Sequence, residues 1–221
     1  MKTKNEHLLK YVNWKPFLLF LRLARFLLLF IVSCRRVGRR GVIIFALPKS
    51  GSSFLEELLA WKLGLTKLPA LGTIWSETMH GDTHNYNCSK LDLFLVRTMG
   101  VVIKTHSLPS QHSLDLLEGL EVIFLTRNID SAVSSTLRHY ERYSWHAGRG
   151  TTDDVLKSEY KSWNEAALCL HENLPASKFY STEKLSTNLL VEGYGSIEQK
   201  DIDYILNKVK KENPSHYEGL N

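Results

Sequence analysis

The sequence predicts an α/β fold: a mostly parallel central sheet, covered by helices on both faces in three layers. Two observations carry that prediction. Short, unbroken apolar runs rich in β-branched residues recur along the chain: GVIIFAL (Gly41 to Leu47), VVIKT (Val101 to Thr105) and EVIFLT (Glu121 to Thr126). Strands buried on both faces read this way, because neither face meets water. Segments of helical pattern alternate with them, which is the arrangement that parallel crossovers require.

In chain order, the strand at Gly41 to Leu47 leads into a helix over Ser53 to Leu63. Gly64 to Leu91 has mixed polarity, with Pro69, Gly72 and Gly81, and reads as a loop-rich insertion. After the strand at Val101 to Thr105 comes a short helical pattern at Leu114 to Leu117, then the strand at Glu121 to Thr126. Helices are expected over Ile129 to Arg142, Asp153 to Glu172 and Asp201 to Lys211, with KFYST (Lys178 to Thr182) as a weaker fourth strand.

The chain has 221 residues, 43% hydrophobic and 23% charged, which suits one domain with a full-sized core plus an appendage. Its net charge of +5 conceals an asymmetry. Residues 1–40 carry ten Lys or Arg against the single acid Glu6, a local +9, which leaves residues 41–221 at −4. A basic tail on a mildly acidic domain is unlike a nucleic-acid reader, whose basic residues line the binding face, so no nucleic-acid partner is expected. Three cysteines, Cys34, Cys88 and Cys169, show neither metal-ligand spacing nor a disulfide framework, in keeping with a reducing compartment.

The tail itself reads as membrane-seeking. Lys15 to Arg36 is KPFLLFLRLARFLLLFIVSCRR, an apolar run interrupted by Arg22 and Arg25. A mid-span arginine costs about 2.5–3.5 kcal/mol on insertion scales. On a helix, Lys15, Arg22 and Arg25 gather on one face, while Phe17, Phe20, Ala24, Leu27, Leu28 and Ile31 lie largely away from it. That pattern suits a helix lying in the headgroup plane. The expected division is a membrane-associating segment at 1–40 and the α/β domain at 41–221, held peripherally on the cytoplasmic face through residues 15–40. A helix packed on the domain's own surface and a single membrane span are the alternatives.

Three motifs fall at strand ends, where open parallel sheets bind ligands. The first is ALPKSGSSFLEELL, Ala46 to Leu59. Its turn, followed by a helix start, offers backbone N–H groups and a positive dipole end to a phosphate-like anion. Gly51 admits close approach, Ser50, Ser52 and Ser53 add donors, and Lys49 supplies a mobile cation. A kinase-type loop needs G-x-x-x-x-G-K-[ST], and this stretch lacks it: Ser52 stands where that lysine should be. The second motif is VVIKTHSLP, Val101 to Pro109. Lys104 and His106 are two apart and share one end of the sheet, where a histidine can act as a general base. The third is FLTRNIDSAVSSTLRHY, Phe124 to Tyr140, in which Arg127 leaves the strand and Ser134 and Ser135 follow about two turns into a helix. An arginine fork with a hydroxyl nearby can grip a phosphate.

In this order, PKSGSSF, KTHSLP and RNIDSAVSS resemble the sulfotransferases that use 3′-phosphoadenosine 5′-phosphosulfate (PAPS). The likeness covers Val42 to Tyr140, with a faint echo at Ser181 to Leu185. The KTH segment is similar to the cytosolic branch, and the S-G-S-S-F run to the carbohydrate-modifying branch. The resemblance implies a P-loop NTPase-like sulfotransferase fold and PAPS as co-substrate, with no metal. It implies that Lys49, Ser50, Gly51, Ser52, Ser53 and Phe54 cradle the 5′-phosphosulfate, Phe54 standing where the family places a tryptophan against adenine. Arg127 would hold the 3′-phosphate with Ser135 by residue count, or Ser134 by the D-x-A-V-S pattern. His106 would be the base, with Lys49 and Lys104 neutralising charge on the transferring group.

The chain departs from the family at its end. No arginine-lysine-glycine segment follows the last helix, only NPSHYEGLN, and Thr182 stands where a tyrosine is usual. Two other functions are therefore carried alongside: a P-loop-type nucleotide kinase or NTPase, and an inactive membrane-attached nucleotide-binding module. The acceptor is expected to be a small molecule, a lipid-linked group or a carbohydrate. Gly64 to Leu91 and Tyr143 to Thr152 would line its pocket, with Trp75, Tyr86 and Trp145 as aromatic candidates.

Overall fold

In the computed structural model, the apolar run after Gly41 becomes strand β1, Val42–Ala46, with every residue buried. The structure describes residues 20, 23, 24, 26–31, 38, 40–69, 89–109, 114–142, 152–184 and 198–212. Trp75, Tyr86, Trp145 and the NPSHYEGLN tail lie outside them, as do Arg22, Arg25 and most of the two loops expected to line an acceptor pocket.

Besides the helical residues 26–31 and a 3₁₀ turn at Thr182–Lys184, the domain's elements are β1; α1, Ser52–Leu63; β2, Thr66–Lys67; α2, Lys90–Thr98; β3, Val101–Thr105; α3, Leu114–Leu117; β4, Glu121–Thr126; α4, Ile129–Arg142; α5, Asp153–Asn173; β5, Lys178–Ser181; and α6, Gln199–Glu212. The strands form one sheet in the order β2-β3-β1-β4-β5, and every pairing is parallel. Ile44 lies beside Lys104 on one side and Ile123 on the other.

Alternation along each strand divides the core in two. Ile43, Phe45, Val101, Ile103, Val122 and Phe124 join one buried cluster, with α2, α4 and α5. On α5 the buried residues Leu156, Tyr160, Trp163, Ala167 and Leu170 recur at steps of four and three, a single helical stripe. Val42, Ile44, Ala46, Val102, Ile123 and Leu125 join the other cluster, with Leu55, Leu58 and Leu59 of α1 and Ile205 and Val209 of α6. Helices therefore cover both faces.

Two features differ from the sequence-based reading. The stretch read as a wholly loop-rich insertion contains β2, a two-residue edge strand paired to Val101 and Val102. It also runs into α2, a helix absent from the sequence-based reading. Ser89 starts α2 with a capping box: its hydroxyl accepts from the Asp92 N–H, while the Asp92 carboxylate accepts from the Ser89 N–H at 2.7 Å. Entry to β1 depends on glycine. A Cβ on Gly41 would stand 2.1 Å from the Val101 carbonyl oxygen, a backbone atom that cannot step aside.

The edge strand and the last helix are tied to α1 through one buried carboxylate. Glu57, 3% exposed, pairs with Lys67 of β2 and Lys208 of α6. Burial pushes its carboxyl up, but hydrogen bonds from Lys208 and Lys67 outweigh that and hold it below its ordinary value. Removing both partners leaves a buried charge uncompensated. The double variant Lys67→Met/Lys208→Met is expected to lose about 3–5 kcal/mol in urea denaturation. A loss under about 1 kcal/mol would show that these pairs do not offset the burial of Glu57.

Candidate functional site

β1 and β4 are neighbours, yet the helices that follow them pack on opposite faces of the sheet: α1 into one core cluster, α4 into the other. A crevice opens at the carboxyl ends of two such strands. The turn from Pro48 to Gly51 and the segment from Arg127 border it, and His106 follows β3 on β1's other side.

The turn has an unusual backbone. Lys49 has φ +62°, a left-handed conformation that costs a non-glycine residue energy unless its surroundings hold it. Gly51, at φ +78°, is the N-cap of α1, and no side chain caps that helix start. Side chains from the other strand ends grip the turn's carbonyl groups. His106 Nδ1 donates to the Ala46 carbonyl at 2.7 Å. Arg127 donates to the Lys49 carbonyl at 2.8 Å. Thr182, just past β5, shares its hydroxyl proton between the Ser50 carbonyl and the Thr126 carbonyl, the latter at 2.9 Å. Because the Ser50–Gly51 peptide is trans, holding the Ser50 oxygen turns the Gly51 N–H to the opposite side.

Each gripping residue is itself braced. His106 sits between Thr105 and Ser107, both buried, whose hydroxyls are 3.0 Å apart. The indole N–H of Trp163 donates to the Ser107 carbonyl at 3.1 Å. Since a carbonyl can only accept, Nδ1 carries the ring proton and Nε2 is the basic nitrogen of neutral His106. On the β4 side, the Thr126 hydroxyl donates to Asn164 at 2.6 Å. The Asn128 side chain accepts from the Ser131 N–H at 3.1 Å to start α4, and its own N–H donates to Glu183 at 2.9 Å.

Cations crowd this edge. Lys104 donates to the Ser53 hydroxyl at 3.0 Å and meets Glu56 at 3.5 Å. Burial, with the nearby Lys104 charge, pushes Lys49 down to about 8. The Ser50 hydroxyl is fully buried and has no hydrogen-bond partner among the described residues. A strained, anion-poor turn with an orphan donor fits an anionic group well.

Beside Arg127 lies a cleft of about 630 Å³, whose lining includes Thr126, Asn128, Asp130, Asn164, Ser181 and Glu183. Burial pushes the Glu183 carboxyl up. Hydrogen bonds from Ser181, the Asn128 N–H and its own N–H, aided by the Arg127 charge, outweigh this and keep it below the ordinary range.

Of the residues singled out from sequence, Lys49, Ser50, Gly51, Ser52, Ser53, Lys104, His106 and Arg127 meet around this turn. Phe54 is half-buried against the core cluster shared with α1. Ser134 is exposed and Ser135 half-buried on α4, and neither lines the cleft. Three participants were not assigned from sequence. Glu56 lies three residues after Ser53, hence on its helical face. Thr182 ends the KFYST run, and Glu183 follows it.

Sheet and turn together define the class: a parallel α/β protein with its candidate anion site at the carboxyl edge of the sheet. No family model and no curated protein matches the chain. Among solved structures it is similar to shikimate kinase from Bacteroides thetaiotaomicron, with 12% identity and a TM-score of 0.46 over 79% of this chain and 98% of that one. So loose a superposition leaves the site to be read from its own geometry.

Two stability measurements test this geometry. A lysine depressed from 10.5 to about 8 binds fewer protons folded than unfolded between those values, so its burden on the fold is fully present below pH 8 and vanishes as pH approaches 10.5. Lys49→Met should therefore be more stable than the parent near neutral pH, with the gain shrinking across that window. A gain independent of pH would refute the assignment. Thr182→Val, which leaves two carbonyls short of a donor, should cost about 1–3 kcal/mol, and Thr182→Ser should cost much less. Equal losses would mean that the methyl group, not the hydroxyl, matters.

Proposed function

We propose that the protein transfers a sulfuryl group from PAPS to a hydroxyl or amine acceptor. The acceptor class we favour is a small molecule, a lipid-linked group or a carbohydrate. The observation that carries this reading is the gathering of His106, Arg127 and Thr182 on the carbonyls of Ala46, Lys49 and Ser50, where β1 runs into the anion-fitted turn, with Lys104 on the Ser53 hydroxyl.

PAPS supplies a sulfuryl group whose bond to the 5′-phosphate oxygen breaks as a bond to the acceptor atom forms. The protein's own residues do the rest. The basic Nε2 of His106 takes the acceptor's proton, its ring oriented by the Ala46 carbonyl. Lys49 and Lys104 neutralise charge that gathers on the transferring group and the departing phosphate oxygen. Ser50, Gly51, Ser52 and Ser53 supply hydroxyl and N–H donors, and Phe54 offers its ring to the base. Arg127, with Ser135 or Ser134, holds the 3′-phosphate. Positioning and charge stabilisation suffice for such a transfer, as they do for phosphoryl groups.

His106→Asn, whose side-chain amide can still donate to the Ala46 carbonyl but offers no basic nitrogen, should lower turnover by about 10²- to 10⁴-fold while preserving the thermal shift produced by adenosine 3′,5′-bisphosphate. Near-normal turnover in that variant would remove His106 from the mechanism. A shift with ATP–Mg²⁺ in place of the bisphosphate would replace the proposal with a kinase or NTPase. No shift with either would leave an inactive module.

A further inference from the structure

The described part of the N-terminal segment has two apolar sides. Residues 26–31 are helical. Phe26, 8% exposed, enters the core cluster formed with α2, α4 and α5, and Leu29 and Phe30 pack against it. Phe26 and Phe30 stack with ring centroids 6.5 Å apart, one turn along the same side. Phe20, Leu23, Leu27, Leu28 and Ile31 are instead 42–66% exposed. Five large apolar side chains presented to water within twelve positions exceed the singly scattered exposure of an ordinary surface and point to an interaction surface.

A helix that only closed its own domain would place polar residues outward. This one places its own domain's contacts on one side and a second apolar set on the other. Among the described residues no helix is long and apolar enough to cross a membrane. With Phe26 fixed in the domain core, the helix is anchored along the domain rather than away from it. Charge decides between occupants. Residues 1–40 hold ten Lys or Arg and one acid, whereas residues 41–221 are net negative. A second copy of the same chain would bring one strongly basic segment toward another like it, whereas an anionic lipid surface attracts basic residues and accepts apolar side chains.

We propose that the outer face of this helix, carried by Phe20, Leu23, Leu27, Leu28 and Ile31, docks the folded domain on an anionic bilayer surface. It inserts side chains without spanning, and the inner face, through Phe26 and Phe30, transmits that attachment rigidly to the core beneath β1, β3 and β4. The inference is independent of the sulfuryl-transfer reading and stands or falls without it.

The test uses the full chain in co-sedimentation with phosphatidylcholine vesicles, with and without phosphatidylserine. The parent should pellet with the serine-containing vesicles and be released by high salt. The variant Leu27→Glu/Leu28→Glu/Ile31→Glu, altered only at exposed positions, should bind about tenfold more weakly or worse with an unchanged melting temperature. Leu168→Glu/Tyr204→Glu, exposed on α5 and α6, should bind like the parent. Three results would overturn the proposal: equal pelleting of parent and triple variant, no preference for phosphatidylserine, or a parent dimer that the triple variant converts to a monomer without any vesicle binding.

Discussion

Three carbonyl oxygens at the end of β1 hold the functional edge of this protein together. Those of Ala46, Lys49 and Ser50 are taken by His106, Arg127 and Thr182, which follow β3, β4 and β5 respectively. A turn with a left-handed lysine at φ +62° is not a conformation that a short peptide would hold by itself. It persists because donors just past three separate strands fix the carbonyl groups of Ala46, Lys49 and Ser50. Each donor needs its strand in register, so the sheet's parallel pairing and the turn's geometry are one constraint. The buried rows of Ile43, Ile44, Phe45 and Phe124 set the strands; the strands set the donors; the donors set the turn.

The same constraint organises charge. Adjacent glutamates on α1 are divided between two jobs, because successive residues on a helix lie about 100° apart. Glu57 points into the protein and binds Lys67 and Lys208, fastening α6 and the edge strand. Glu56 faces the site and meets Lys104 at 3.5 Å, beside the hydroxyl of Ser53. One carboxylate thus stands in a neighbourhood holding Lys49 and Lys104, where burial first, and the Lys104 charge second, push Lys49 down to about 8. Under the sulfuryl-transfer reading, an arriving phosphosulfate would supply the negative charge that these two lysines lack.

Much of the fold was legible because buried parallel strands leave a direct trace in composition. The strands at Val101–Thr105 and Glu121–Thr126 and the helix at Ile129–Arg142 have the bounds their residue patterns imply. β2 left no trace, since two residues are too few to show any period. α2 left an overlooked one, for Ser89 and Asp92 have the spacing of a capping box. At the site, the chemistry-bearing residue types were legible but their pairings were not. Arg127 and Lys49 are 78 positions apart, and Thr182 and Ser50 are 132 apart. Local patterns carry no information about such partners. Thr182 illustrates the point: in sequence it looks like a tyrosine lost, whereas in the structure its short side chain is what reaches two backbone oxygens at once.

Arg127 gives the site its internal logic. A guanidinium has five N–H donors, and a planar fork cannot aim them all at one partner. Arg127 commits NH1 to the Lys49 carbonyl, and its charge acts on Glu183 across the adjoining cleft. Under the sulfuryl-transfer reading its remaining donors face the second phosphate of the nucleotide. One side chain would then hold both the turn that cradles the 5′ end and the anion at the 3′ end. Binding at either end draws the guanidinium into the geometry the other requires, so the two phosphates are recognised together. A nucleotide lacking the 3′-phosphate would leave the remaining donors of Arg127 beside a cleft lined by the carboxylates of Asp130 and Glu183, without the anion they would otherwise hold. Selectivity for a doubly phosphorylated adenosine would then arise from the same side chain whose backbone contact also keeps Lys49 in its strained conformation.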